Sequence, residues 1–365
     1  MWRRTLCPFS NDWRLDMSIY DVAREAGVSA ATVSRFINKS VNVVPEKAEL
    51  IRSAMKKLKY EPAMIRPGPR PRNRQGIVHK QVLLLSLGKF GVLDLYNMPA
   101  LPKMLNEIQL VLHSTGLNLV LAQSVDGTIP SITSARNFDG ILVFGKLDPM
   151  PEKIMALLRS APSVWFFREH SDPDGIFDHV FYDNKKIGGM AFSYLHGKGC
   201  RNLAVIVTEK EHSAFSLRSE AFVSAAREMG CLVDVFQPAD SNPGIPIARK
   251  VDEILGKMMN GRRRHDGIFV TSDDSMLAVF NSFRNRGIEP EQDIKFIGCN
   301  NDPQFMGQMS PRPATIDIRL DVIGRKAVEL LLQRIRNPEE DGTVEVFIKP
   351  LLVPAEKDEE QLKVS

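Results

Sequence analysis

The sequence predicts an α/β protein in which a three-helix unit of helix-turn-helix type precedes two lobes of doubly wound sheet. Three observations support this prediction. Residues 18–59 contain three short amphipathic segments separated by turn residues. From Gln81 onward, apolar runs of strand length alternate with amphipathic helical patterns, which is typical of parallel sheets covered by helices. A chain of 365 residues is long enough for two such sheets and a small additional domain.

Residues 18–38 have the pattern of a helix, a tight turn and a second helix. Gly27 allows the positive φ that often ends a helix, and Ser29 can cap the helix that follows. The apolar residues of the second helix are Val33, Phe36 and Ile37. Its other face carries small and polar residues, which is what a helix entering the major groove of DNA needs.

A third helix is required because two short helices cannot bury their apolar faces alone. Residues 45–59 supply it. Its predicted buried stripe consists of Ala48, Ile51, Met55 and Leu58. Four of its basic residues lie mostly off that stripe and face either solvent or DNA phosphates: Arg52, Lys56, Lys57 and Lys59.

The strands predicted after this unit are residues 82–87, 117–122, 140–144, 164–167, 203–207, 267–271 and 295–299. The predicted helices between and after them are residues 99–114, 185–196, 214–229, 247–260, 275–286 and 321–336.

The charge of the chain is unevenly distributed. The net charge of +4 is ordinary, but basic residues outnumber acidic ones between Met17 and Lys80. Residues 66–80 contain no acidic residue at all. This asymmetry indicates a nucleic-acid partner for the N-terminal part.

The cysteines and the first residues bear on the cellular compartment. Cys7, Cys200, Cys231 and Cys299 have neither metal nor redox spacing, which indicates core thiols in a reducing compartment. No apolar run has the length of a membrane helix, and residues 1–16 are charged where a signal peptide would be apolar. We expect a cytoplasmic, nucleoid-associated bacterial protein without metal, cofactor or membrane contact. Residues 1–16 are either an N-terminal extension or the result of a start upstream of Met17.

Several motifs of residues 18–62 occur in register: Tyr20-Asp21-Val22-Ala23, Ala26-Gly27-Val28-Ser29, Thr32-Val33-Ser34-Arg35, Asn38 and Tyr60-x-Pro62. Together they resemble the DNA-binding headpiece of LacI/GalR-family transcriptional regulators. The resemblance implies a homodimer on a palindromic double-stranded operator. It also implies base contacts from Ala30, Ala31 and Arg35. The residues implied in other DNA contacts, chiefly to phosphates, are Tyr20, Ser29, Thr32, Ser34 and Asn38. Independently of the resemblance, Arg35 is the only residue of the second helix able to contact guanine in bidentate fashion.

The segment after the headpiece departs from the family pattern. Ala63 stands where members usually have Asn before a short hinge helix, and Pro69 stands where a leucine would enter the minor groove. Three prolines within five residues cannot lie inside a helix, so we expect an extended ribbon. Loosely resembling an AT-hook, it would place Arg66, Arg70 and Arg72 in a narrow A·T minor groove. The alternative is a plain basic linker.

Polar residues follow predicted strands at the end of the sheet where ligands of doubly wound folds bind. Arg218, Asp274 and Asn300 are such residues. Because Asp and Asn also cap helices and form turns, each has a purely structural alternative. For the neighbouring Asp273, helix capping is the preferred interpretation.

Motifs of the second part extend the resemblance: Asp139-Gly140-Ile141-Leu142, Val180-x-x-Asp183-Asn184, Gly199-Cys200-Arg201-x-x-Ala204, Arg218-x-x-x-Phe222, Asp273-Asp274, Gly298-Cys299-Asn300-Asn301 and Pro313-Ala314-Thr315-Ile316. They resemble the regulator counterparts of periplasmic sugar-binding proteins. The resemblance implies a helix-turn-helix three-helix headpiece joined to a two-lobed, periplasmic-binding-protein-like effector domain. It assigns effector contacts to Arg218, Asp274 and Asn300. Members commonly have Asn-Asp at positions 273–274 and Asp at position 300, so effector identity does not follow.

An arginine that faces carboxylates across a cleft suits a polyol, because hydroxyls both donate and accept hydrogen bonds. The expected effector is therefore a sugar or sugar derivative. Phe90, Tyr96 and Phe181 are the candidates for stacking on its ring, and plain core packing is the alternative for each.

The predicted domains are an extension at 1–16, the headpiece at 17–62, a basic proline-rich linker at 63–80, the effector and dimerisation domain at 81–352, and a charged tail at 353–365. The predicted function is a sequence-specific transcriptional repressor controlled by a small molecule. A sugar-binding or sensor protein without a direct transcriptional role is the alternative. An enzyme is a third possibility, but the sequence lacks the P-loop, nucleophile-elbow and zinc-protease motifs, so no catalytic residue is assigned.

Overall fold

The computed structural model describes residues 19–37, 43–58, 60, 76–88, 101–131, 138–145, 147–167, 177–240, 242 and 244–358. The chain divides into two compact units, Met1–Asn73 and Arg74–Ser365.

The first unit has the three predicted helices, α1 Ile19–Glu25, α2 Ala30–Ile37 and α3 Pro45–Lys57. Gly27 has a φ of 63° and lets the chain turn after α1, as predicted. The Ser29 hydroxyl oxygen accepts a hydrogen bond from the Thr32 N–H at 3.2 Å, so the predicted cap of α2 is also present.

The three helices of this unit enclose one small apolar core. Val22, Val33 and Ile51, one from each helix, are fully buried. The predicted stripe of α3 is confirmed at Ala48 and Ile51, and its last two members are half-buried. The predicted stripe missed Ala54, which is also buried in this core.

The second unit contains two six-stranded sheets. Its strands are β1 Gln81–Leu87, β2 Asn118–Ser124, β3 Gly140–Gly145, β4 Ser163–Phe166, β5 Asp178–Phe181, β6 Asn202–Ile206, β7 Leu232–Phe236, β8 Gly267–Val270, β9 Lys295–Cys299, β10 Ala314–Asp317, β11 Glu345–Phe347 and β12 Leu351–Val353. Its helices are α4 Leu101–Ser114, α5 Glu152–Leu158, α6 Asn184–Gly197, α7 Ser213–Glu228, α8 Ile247–Asn260, α9 Asp273–Arg284, α10 Pro303–Met306 and α11 Leu320–Arg336.

The two sheets repeat one topology. Lobe one has the strand order β11-β5-β4-β3-β1-β2, and lobe two has the order β12-β10-β9-β8-β6-β7. All neighbouring pairs are parallel except β10 and β12. The two lobes of doubly wound sheet predicted from the sequence are therefore confirmed.

The chain crosses between the lobes three times, at residues 182–183, 318–319 and 348–350. After the first crossing α6 packs against β8, β9 and β10 of lobe two. After the second, α11 packs against β3, β4 and β5 of lobe one. Because β5 and β10 run directly into crossings, the carboxyl ends of both sheets face this hinge. Ligands of doubly wound folds bind at such ends.

The three described cysteines lie in the core of the second unit. Cys200, Cys231 and Cys299 are buried free thiols, as predicted, and Cys7 lies outside the described residues. None of the described helices is both long and apolar enough to cross a bilayer.

Helices α6 and α7 approach closely at Gly188. A Cβ placed on Gly188 would lie 2.2 Å from the backbone oxygen of Arg218 and 2.8 Å from the backbone nitrogen of Phe222. Both neighbours are backbone atoms, so neither can move without moving α7. Only glycine fits this contact.

We expect Gly188→Ala to lower the free energy of unfolding by about 1–3 kcal/mol, because it forces the two helices apart. Urea titration of the purified protein measures this change. Gly189→Ala is the matched control, since a Cβ at Gly189 meets nothing within 4 Å. It should be neutral or stabilising, because alanine is the better helix residue by about 1 kcal/mol. Equal destabilisation by both variants would contradict the packing argument.

Candidate functional site

The candidate DNA-reading helix is α2. Arg35 is exposed on it, whereas Ala30 is half-buried and packs against the core of the first unit. The Ser29 and Thr32 hydroxyl oxygens lie 2.9 Å apart, so both side chains are occupied at the helix start. Among the predicted contact residues whose side chains are described on α2, Arg35 is the exposed one.

Other predicted DNA contacts are described only in part. Tyr20, Ala31 and Ser34 lie in helices whose backbone is described, but their side chains are not. The predicted contacts that fall outside the described residues are Asn38, Arg66, Arg70 and Arg72. These assignments stay predictions.

The basic residues of α3 divide into paired and exposed groups. Arg52 forms an ion pair with Glu49, and its guanidinium lies 5.5 Å from the centre of the Phe36 ring. The Lys57 ammonium lies 2.6 Å from the Glu25 carboxylate. Lys56 is exposed. Lys47, near the start of α3, is exposed as well, so Lys47 and Lys56 are the two α3 residues most open to a phosphate.

Arg218 is the centre of the candidate effector site. It projects from α7 and is only 1% exposed. Its guanidinium donates hydrogen bonds to Asn184 Oδ1 at 2.9 Å and to the Thr271 carbonyl oxygen at 2.8 Å. It also reaches Asn300 Oδ1 at 3.4 Å and the Tyr182 hydroxyl at 3.2 Å. One side chain therefore ties the first crossing to the carboxyl ends of β8 and β9.

The loop after β9 is shaped by two asparagines in left-handed conformations. Asn300 has a φ of 120° and Asn301 a φ of 54°. Asparagine tolerates this region better than most residues. The Asn301 amide donates to Asp317 Oδ2 at 3.0 Å, and Asp317 Oδ1 accepts from the Arg319 N–H at 2.7 Å. The loop that carries Asn300 is thereby held against the second crossing.

The adjacent carboxylates of α9 have different surroundings. Asp273 is fully buried and accepts hydrogen bonds from the Asp302 N–H at 2.9 Å and the Thr315 hydroxyl at 2.8 Å. Asp274 is half-buried and accepts from the Ser275 N–H at 2.7 Å. Asp273 thus joins three segments of lobe two, and Asp274 retains acceptor capacity toward a ligand.

His212 is a part of this region that sequence reasoning missed. Its ring stacks on Phe215 with centroids 4.2 Å apart, and the Phe215 ring lies 5.6 Å from the Arg218 guanidinium carbon. Its Nδ1 is buried without a hydrogen-bond partner. Burial, followed by the charge of Arg218, lowers the pKa of His212 to about 4, so the ring is neutral at ordinary pH.

The aromatic residues near Arg218 differ from those expected. Phe181 packs against Phe347, with ring centroids 6.0 Å apart. Tyr182, the next residue, contacts Arg218, because neighbouring side chains of an extended segment point to opposite faces. Phe90 and Tyr96 lie outside the described residues. The stacking roles of Phe90, Tyr96 and Phe181 stay predictions.

Metal ligation is not supported by clustering: the described ranges contain no group of three or more His, Cys, Asp or Glu that could hold a metal ion.

The burial of Asp273 has a consequence for stability. Burial raises the pKa of Asp273 from 3.8 to about 7. Between these values the folded protein holds a proton that the unfolded chain releases. The contribution of this proton to the free energy of unfolding is therefore fully present below pH 3.8. It is lost as the pH rises through about 7.

We expect the wild type to gain stability relative to Asp273→Asn as the pH is lowered from about 8 to about 5. The asparagine cannot titrate, and the Thr315 hydroxyl can accept a hydrogen bond from the new amide. Urea unfolding of both proteins across this range measures the difference. Other titrating groups, such as Glu291, cancel in the subtraction. A difference that does not vary with pH would exclude the raised pKa.

Comparison with known proteins covers both parts of the chain. Residues 18–63 match the family described as bacterial regulatory proteins, lacI family, and residues 192–355 match the periplasmic binding protein-like domain. The HTH-type transcriptional repressor PurR of Pectobacterium carotovorum subsp. carotovorum (strain PC1) is 27% identical over 350 residues, which cover 92% of this chain and 95% of the relative.

Two solved structures superpose on nearly the whole chain. A complex of the transcriptional regulator CelR with cellobiose has a TM-score of 0.60 and 24% identity, covering 93% of this chain and 99% of its own. The lac repressor dimer bound to operator and the anti-inducer ONPF has a TM-score of 0.60 and 18% identity, covering 93% and 98%. At these identities the superpositions establish the fold alone. The chain thus combines a helix-turn-helix domain of the lacI family of bacterial regulatory proteins with a periplasmic binding protein-like domain, the two domains of a LacI-type regulator.

Proposed function

We propose that this chain is a transcriptional repressor that binds a palindromic operator as a cytoplasmic homodimer and is controlled by a sugar or sugar derivative. The observation that carries the DNA-binding part is the exposed Arg35 on a capped and core-anchored α2. A guanidinium presented in this way suits the two acceptors of guanine in the major groove. Two such helices in one dimer would enter successive major grooves.

The relatives support the finer parts of this proposal. PurR is named a repressor, and the lac repressor structure is a dimer bound to operator. CelR is in complex with cellobiose. Asn300 offers an acceptor beside the Arg218 donors, and Asp274 offers another from the start of α9, so hydroxyl groups, which both donate and accept, match this set.

The position of Arg218 supports effector control. Its partner Tyr182 lies in the first crossing and its partner Asn184 directly after it, while Thr271 and Asn300 belong to lobe two. An effector that bonds to this group acts on the hinge itself. Its effect on DNA binding is set by its difference in affinity for the open and closed arrangements of the lobes.

A planar heteroaromatic effector, such as a purine base, is the second candidate. The stacked rings of His212 and Phe215 beside Arg218 favour it, because flat faces of this kind stack on bases. A screen against cellobiose, D-glucose and hypoxanthine separates the two candidates, since a compound that binds the native state raises its thermal midpoint.

We expect Arg35→Ala to lose about 1–3 kcal/mol of discrimination between the operator and the same site with one guanine replaced. Gel-shift titrations with fragments from the protein's own promoter region measure it. Lys56→Ala is the matched comparison. It should weaken binding to all sequences equally and reduce the salt dependence by about one counterion, because a phosphate contact carries no sequence information. Failure of the wild type to bind any of these fragments specifically would favour the alternative of a sensor without a transcriptional role.

We expect Asp274→Asn to weaken the response to the effector roughly ten- to a hundredfold, because a hydrogen bond to a charged group contributes about 1.5–3 kcal/mol. Operator affinity without effector should not change. The measurement is the effector concentration that halves the change in operator binding. Asp240→Asn, on an exposed loop, is the control and should behave as the wild type. An unaltered response in Asp274→Asn would remove this residue from the site.

A further inference from the structure

The outer surface of helices α6 and α7 carries an open groove with apolar walls. Its volume is about 630 Å³. The residues that line it belong to α6, to the end of α7 and to β12, an edge strand of lobe two. The apolar ones are Met190, Phe192, Tyr194, Ala225, Met229 and Leu352. The groove shares no residue with the candidate effector site.

The rim of this groove is apolar and exposed. Met229 is 59% exposed and Leu352 42%. Single exposed apolar side chains are ordinary on a protein surface. These two, however, come from different elements and line one concave surface together. Such a combination is typical of a surface that binds a partner.

The wall of the groove formed by α6 is low. It contains Gly189 and, one turn later, Ser193. A Cβ placed on Gly189 would meet nothing within 4 Å. Because the distance between packed helices depends on the side chains at their contact, a helix of a partner can approach this wall closely.

Helices α6 and α7 run in the same direction. Near the start of α6, Asn184 accepts a hydrogen bond from Arg218 of α7. Further along both helices, the rings of Phe192 and Phe222 lie 6.0 Å apart. The contacts therefore advance together along the two helices, and their starts lie at one end of the groove.

The two ends of the groove carry opposite charges. Lys186 lies in the first turn of α6, and Glu228 is the last residue of α7. Because Gly188 is in contact with Ala221, Lys186 is level with Ser219, nine residues before Glu228. Nine residues of helix correspond to about 14 Å along the axis.

Both charged side chains are exposed, and neither forms an ion pair within the described ranges. The Lys186 ammonium lies 5.5 Å from the centre of the Phe347 ring, which is itself exposed. The Glu228 carboxylate accepts a hydrogen bond from the Ser224 hydroxyl at 3.1 Å. Both charges are therefore open to a partner of opposite sign.

We propose that this groove is an interface with a second copy of the chain, related to the first by a two-fold axis across α6 and α7. A partner with charges of one sign would match one end of the groove and be repelled at the other. A second copy supplies both signs in the required order. The proposal adds to the proposed function a surface through which copies associate, and it depends neither on operator binding nor on the effector.

The two-fold axis makes the groove complementary to itself. It turns the helices of the second copy antiparallel to those of the first, so Lys186 of each copy faces Glu228 of the other. By the same symmetry Met229 of each copy lies near Phe347 of the other, and a thioether beside an aromatic ring is a favourable contact. Every interaction forms twice.

The test is light scattering of the full-length protein after size-exclusion chromatography, with sedimentation equilibrium for the dissociation constant. We expect the wild type to have at least twice the mass of one chain, 41.0 kDa. Lys186→Glu should raise the dissociation constant of the association roughly tenfold, because it opposes like charges at both ends of the interface. Glu228→Lys should do the same.

The double variant Lys186→Glu with Glu228→Lys is the decisive one. It reverses both ends together, so the charges of the two copies attract again and the association should return to that of the wild type. Lys185→Glu is the matched control. It makes the same change of charge at an exposed position of α6 outside the groove, and it should associate as the wild type does.

Met229→Gln tests the apolar part of the interface. It keeps a side chain of similar length and should also weaken the association, because it removes apolar surface from the contact. All the substituted positions are exposed, so the fold is not affected.

Three outcomes overturn the proposal: a wild type with the mass of one chain at every concentration, single charge reversals that leave the association unchanged, and a double variant that associates no better than the single ones. Association that appears only after removal of residues 359–365 would assign the groove to that segment instead of a second copy. Failure of the protein to bind an operator would overturn the proposed function and leave this interface standing.

Discussion

The hydrogen bonds of one buried guanidinium organise the effector domain. Arg218 projects from lobe two and donates hydrogen bonds to Tyr182, which lies in the first crossing, and to Asn184, which follows it. Its charge also keeps the neighbouring His212 neutral by adding to the effect of burial. Because the contact at Gly188 fixes α6 against the backbone of Arg218 itself, the position of the guanidinium and the position of the hinge are set together. A ligand that displaces one of these bonds must offer the guanidinium an acceptor of its own or leave a buried donor unpaired.

The sequence predicted the elements of this architecture well where the apolar runs are long. All seven predicted strands and all six predicted helices of the second part have counterparts in the structure. The strands that were not predicted are β5, β7, β10, β11 and β12. Polar residues, such as Asp178 in β5 and Thr315 in β10, interrupt their short apolar runs. Several of them are edge strands or lie next to one, where a half-exposed face dilutes the apolar signal.

The site was predictable only as far as topology determines it. The rule that carboxyl ends of parallel strands meet explains why Arg218 and Asn300 lie together. The rule could not predict whether Phe181 or Tyr182 contacts Arg218. The side of the sheet to which such a residue points depends on where the strand ends.

The three crossings have a consequence for the order in which the protein matures. Lobe one requires α11 and β11, which the ribosome makes only after all but one strand of lobe two. The small headpiece encloses its own core and needs nothing that follows it. During synthesis a helix competent to bind DNA is thus completed long before the lobes that respond to a ligand. Newly made chains, and fragments ending before α11, would carry the DNA-reading surface without its control.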